Sequence, residues 1–85
     1  MKLSLRVHYT VQSIPIIHSF VCKVAEYFGA DHKETFELGL AAEEASEHII
    51  ETYPTEDIDS PFDIYCEKEN EIIRFIFSIP DSRLM

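Results

Sequence analysis

The sequence predicts an α+β protein, a two-layer sandwich with the element order strand, helix, helix, strand, strand. Three observations predict it. Apolar and polar residues alternate over Leu3–Tyr9, Phe62–Cys66 and Ile73–Ile79, the period of half-buried strands. Two blocks after the first strand carry apolar residues at helical spacing. Each block opens on a capping residue and closes near a glycine or a proline.

In the first strand Leu3, Leu5, Val7 and Tyr9 share one face, and Lys2, Ser4, Arg6 and His8 the other. Ser13 is placed to cap the first helix, with Pro15 in its first turn, where a missing N–H costs nothing. Ile16, Ile17, Phe20, Val21, Val24 and Phe28 form its apolar stripe, and Gly29 fits a left-handed stop. Asp31 and Glu34 form an acidic capping box that opens the second helix. Its broad apolar face is Phe36, Leu40, Ala41, Ala45, Ile49 and Tyr53, and Pro54 helps to end it. The acidic segment TEDIDS is a connecting loop.

The last two runs make an antiparallel hairpin, with Glu69, Asn70 and Glu71 in the turn. Its second strand is apolar on both faces, so it is expected at the sheet centre or covered on both sides. The helices should cover one sheet face, with Phe20, Val24, Leu40, Ala45 and Ile49 in the interface. Ile72 and Ile76 then lie on the other face. With the open sheet edge they predict a surface for self-association.

Composition narrows the function classes. A chain of 85 residues is one domain at most. The formal net charge of -9 excludes the basic footprint of a nucleic-acid binder and disfavours anionic membranes. It would suit a partner with a basic face, although acidity also serves solubility alone. No uncharged apolar run is long enough to span a bilayer, and the N-terminus has no signal-peptide core. Cys22 and Cys66, the two cysteines, lack metal or redox spacing and predict reduced, packed thiols in a cytoplasmic protein. His8, His18 and His32 form no zinc spacing, and no Cys–His grouping is readable.

The chemistry-bearing residues cluster in LAAEEASEHIIETY. Glu44, His48 and Glu51, at i, i+4 and i+7, share one stripe, and Glu37 lies two turns earlier. Either this stripe faces a pocket and does general-base or metal work, or it is a solvated helix face with an ion pair when His48 is protonated.

The stretches LSLRVHYT, SIPIIHSFVCKVAEYFGA and FELGLAAEEASEHIIETYP resemble the start of the GHKL (Bergerat-like) ATPase fold. More narrowly, they are similar to the anti-sigma-factor serine/threonine kinases of bacterial signalling. The resemblance implies that residues 1–85 are a single domain or the N-terminal part of a GHKL-like ATP-binding domain. It implies a cytoplasmic regulator whose cofactors are ATP and magnesium and whose protein partner is a sigma factor or an anti-anti-sigma factor. It also implies homodimer formation through the N-terminal region. By the same resemblance Glu44 is the catalytic base, His48 stands where the family has the magnesium-binding Asn, and Asp81 stands where an Asp holds adenine.

Two departures limit the carry-over. Imidazole is a poor ligand for magnesium, which prefers oxygen. Ser82 and Arg83 follow Asp81 where the family has glycines; Gly29 and Gly39, the only glycines, lie upstream. Weak or absent Mg-ATP binding by residues 1–85 is therefore expected, with no cofactor for this chain. The alternatives are a non-catalytic protein-interaction module, or a metal site built on Glu44, His48 and Glu51. A D-x-G-x-G continuation beyond Met85 would favour the nucleotide function.

Overall fold

The computed structural model describes residues 2–57 and 59–79. Strand β1 (Lys2–His8) leads through a 3₁₀ turn, Val11–Ser13, into helix α1 (Ile14–Tyr27). Helix α2 (His32–Thr52) follows, then strands β2 (Pro61–Glu69) and β3 (Ile72–Ser78). The predicted element order is the observed one.

Local chemistry fixes the ends. Gly29, at φ +97°, takes the left-handed turn that ends α1, where a side chain would be strained. Asp31 and Glu34 close the capping box of α2 reciprocally: Glu34 N–H donates to Asp31 Oδ1 at 2.8 Å, and Asp31 N–H to Glu34 Oε1 at 3.1 Å. Ser13 differs from its predicted role. It makes no side-chain cap, because the 3₁₀ turn runs directly into α1 and Ser13 itself is helical in backbone angles. In the hairpin Glu69 pairs with Ile72, and Asn70 takes the positive φ of 59° in the two-residue loop.

The sheet is antiparallel in the order β1-β2-β3. The register lines up Leu5, Ile64 and Phe77 in one row and Leu3, Cys66 and Phe75 in the next, all on the helix-covered face. Phe62, Ile64 and Cys66 of β2 are fully buried there, together with Ile17 and Val21 of α1. Burying side chains of this size stabilises by roughly 1.5–3 kcal/mol each. Tyr9 packs edge-on against Phe62, with ring centroids 5.1 Å apart. Its single hydroxyl proton is shared between the Tyr53 carbonyl at 2.6 Å and the Ile49 carbonyl at 3.0 Å, which ties the end of α2 to the end of β1.

Two packing expectations are corrected. Strand β3 is an edge, not the centre, because β2 pairs on both sides; Ile72 is 63% exposed and Ile76 42% exposed on the open face. Helix α2 is also turned from the expected orientation. Its buried positions are Thr35, Gly39, Ala42 and Ser46, while Leu40 is 41% exposed and Phe36 61%. Small residues win this face because α1 approaches closely. A Cβ at Gly39 would sit 2.7 Å from Cys22 Sγ. Ile49 and Phe20 do pack against the core, and Val24 is buried, as predicted.

The open sheet face is polar apart from Tyr65 and the β3 isoleucines. Arg6 grips Asp63 with two hydrogen bonds of 2.7 and 2.9 Å, and Arg74 donates to Glu67 at 2.9 Å. No helix among the described residues is long and apolar enough to cross a membrane.

Candidate functional site

The predicted stripe lies on the solvent side of α2. Gly39, Ala42 and Ser46 point into the fold, so residues about half a turn away must point out. Glu37, Glu44, His48 and Glu51 are all exposed. The structure thus brings Glu44 and His48 together only as neighbours one helical turn apart. Asp81 lies outside the described residues. No group of three or more His, Cys, Asp or Glu side chains among the described residues is arranged to hold a metal ion.

Beside this stripe lies a cleft of about 560 Å³, between the α1–α2 connection, the first turns of α2 and the hairpin. Phe28, Leu38, Ala41 and Ile73 form its apolar surface, and Glu34, Glu37, Glu71 and Lys68 its charged rim. The sequence puts these residues together through two short turns, at Gly29 and at Asn70. Lys68 Nζ donates to the Phe28 carbonyl at 3.2 Å and lies 6.0 Å from the centroid of the Phe28 ring. That carbonyl is at the C-terminal end of α1, where the helix dipole favours a cation. The cleft therefore already holds one ammonium group, and its three carboxylates outnumber it.

The chemistry of this surface suits a cation better than a nucleotide. Three carboxylates would repel a tetra-anionic triphosphate, and the exposed imidazole of His48 is a poor magnesium ligand. No phosphotransfer step follows from the described residues. Glu37 joins the cleft to the predicted stripe, so an acidic strip continues along α2 through Glu44 to Glu51. Phe36 and Leu40 lie exposed on an adjoining side of the same helix.

A second cluster was not legible in the sequence. On α1, His18 and Cys22 are one turn apart, with His18 Nε2 3.5 Å from Cys22 Sγ. Glu43 of α2 reaches back, and its Oε2 lies 2.6 Å from His18 Nδ1. That contact is short but poorly directed, since Nδ1 makes no hydrogen bond of acceptable geometry. The Glu43 side chain is 41% exposed. The Cys22 thiol donates to the Thr35 carbonyl at 3.7 Å, and its contact with Nε2 takes its direction from the imidazole tautomer. Burial, then the negative charges of Glu26 and Glu43, push the Cys22 thiol up from its ordinary value. Cys22 is only partly buried, whereas Cys66 is wholly buried as predicted.

No protein-family model matches the chain, and no curated protein matches it significantly.

Proposed function

We propose that the chain is a regulatory protein-interaction module, and that the acidic side of α2 takes a basic segment of its partner. The observation that carries this proposal is the cleft at Glu34, Glu37 and Glu71, which combines an apolar floor with an excess of carboxylates and already holds the Lys68 ammonium. A lysine or arginine side chain of a partner would lay its aliphatic stem on Leu38, Ala41 and Ile73 and its charge among the carboxylates. Further basic residues of the same segment would follow Glu44 and Glu51. The resemblance to anti-sigma-factor kinases supports the partner class: a sigma factor or an anti-anti-sigma factor. On this proposal the chain uses that scaffold for binding rather than for phosphotransfer.

The test is a titration of the ¹⁵N-labelled protein with a synthetic amphipathic peptide bearing Lys and Arg, and with its Glu-substituted counterpart. The basic peptide should perturb Glu37, Leu38, Ala41 and Ile73, and binding should weaken on raising salt from about 0.05 to about 0.5 M. Glu34→Gln with Glu37→Gln should weaken it further. Equal binding of the acidic peptide, or perturbation confined to other faces, overturns the proposal. Mg-ATP is the competing ligand: magnesium-dependent shifts at Glu44 and His48 with micromolar affinity would favour the nucleotide function instead.

A further inference from the structure

The outer edge of β3 offers the backbone a binding surface that the acidic cleft alone does not use. Strand β2 pairs with one side of β3, and among the described residues no strand pairs with the other. Alternate residues of an antiparallel strand turn both N–H and C=O to the same side, so alternate residues of the seven in Ile72–Ser78 present these groups outward. Sheet edges are commonly guarded by a proline, a bulge or free charges. Strand β3 has no proline, and its register with β2 runs without a bulge from Ile72 to Ser78. Its one charged residue, Arg74, is engaged by Glu67. The opposite edge, β1, carries Lys2, Arg6 and His8 and is the better guarded of the two.

A groove follows this edge on the helix-covered side. Its floor is Ile73, Phe75 and Phe77, all half-buried. Helix α2 forms the wall and runs in the same direction as β3. Leu38 and Ala41 flank Ile73 in the cleft, while Tyr9 ties Ile49 and Tyr53 to the end of β1 that pairs with Pro61, close to the Asp63–Ser78 pair. Glu37 and Glu44 lie four residues before and three after Ala41, so they share its side of the helix, away from Gly39 and α1. The groove thus has an apolar floor and an acidic wall. Charge then decides its occupant. Two copies joined edge to edge through β3 would lay their α2 helices side by side on one sheet face, each turning Glu37 and Glu44 toward the other, in chains of net charge -9. Like charges oppose that pairing, whereas the same carboxylates attract a basic strand.

We propose that an extended basic segment of a partner protein adds to the β3 edge as a fourth strand of the sheet. Set about 4.7–4.9 Å from β3, it would take up the outward N–H and C=O groups. Every second side chain would enter the groove over Phe75 and Phe77, which suits apolar residues at those positions. A lysine or arginine at the Ile73 end would reach Glu34, Glu37 and Glu71. The strand addition rests on the basic partner already proposed and supplies the conformation in which that partner binds. Main-chain bonds provide affinity in this mode, and the groove and its carboxylates provide specificity.

The probe is a synthetic peptide of alternating Val and Thr with Lys and Arg at one end, titrated into the intact ¹⁵N-labelled chain. Two further peptides keep its charge and side chains but carry N-methyl groups on one or the other alternate set of amides. Methylating the set that faces β3 should lower affinity at least about tenfold, because several donors are lost at once. Methylating the other set should leave affinity unchanged. Bound peptide should also slow hydrogen exchange at alternate amides of β3. Equal affinity of the two methylated peptides, with shifts confined to α2, overturns the strand addition and leaves the basic partner standing. Absence of binding by all three peptides overturns both. Slowed exchange in β3 that grows with protein concentration and without peptide assigns the edge to a second copy of the chain, which also overturns the proposal.

Discussion

Tyr9→Phe removes a hydroxyl that ties the end of α2 to the end of β1. The ring stays, so the edge-on contact with Phe62 and its apolar burial are unchanged. The lost group is the donor to the Tyr53 carbonyl at 2.6 Å and the Ile49 carbonyl at 3.0 Å. Ile49 O keeps a partner, because it also accepts the Tyr53 amide at 2.9 Å. The Tyr53 carbonyl belongs to the helix end, where carbonyls have no partner within the helix. A net hydrogen bond contributes about 0.5–1.5 kcal/mol, and a buried acceptor left alone costs about 1–3 kcal/mol. The site is only part-buried, so water recovers some of the loss, and about 1–2 kcal/mol is expected. In a domain of this size each kcal/mol lowers Tm by about 4–8 °C. Urea denaturation at neutral pH should show a lower midpoint at constant slope. Hydrogen exchange should quicken at the Tyr53 amide and not in α1. A change within about 0.5 kcal/mol, the range of neutral surface substitutions, would refute the tie between β1 and α2.

Three further outcomes are expected. Arg6, by its hydrogen bonds, holds the Asp63 carboxyl below its ordinary value. The unfolded chain therefore takes up that proton first on acidification, so the stabilisation is complete above about pH 4 and is lost as pH falls through the depressed pKa. An Asp63 titration midpoint unchanged in Arg6→Gln, followed by NMR, would contradict this. Cys66, whose thiol burial pushes up to about 11, should resist alkylation in the native protein and react after unfolding, while Cys22 reacts earlier. Equal native rates by mass mapping would show that the sheet interior is open. If β3 is a dimer face, Ile76→Glu should lower self-association in sedimentation without unfolding the chain, because Ile76 lies outside the core. A wild type that stays monomeric at high concentration removes this role.

The sequence made the element order and most element ends legible because they are written locally. Gly29, Asp31 with Glu34, and the hairpin turn act through residues at most four apart. The face that α2 buries was not legible, because its large apolar residues and its small residues lie on different sides of the helix. Phe36 and Leu40 share a side of the helix, but Gly39 and Ala42 permit the close approach of α1, and tertiary contact decided the rotation. The place of β3 was missed for a related reason. Apolar residues on both faces of a strand describe burial only when something covers the second face, and Ile72 and Ile76 are left open. Of the candidate site, the exposed stripe was readable from helical spacing alone. The cleft was not, since Glu71 and Lys68 come from the hairpin. The His18–Cys22 cluster was not readable either, because Glu43 joins the pair only through the register of two helices.

That register also decides where the acidic surface lies. Thr35, Gly39, Ala42 and Ser46 form the seam of α2, and their small volume brings α1 near enough for Glu43 to reach His18. The same rotation leaves Glu37, Glu44 and Glu51 facing solvent and sets Leu38 and Ala41 beside the hairpin. A helix seated on Phe36 and Leu40 instead would turn the acidic stripe and the cleft wall together, because both are rows of one rigid helix. The small-residue seam is therefore what positions the acidic surface.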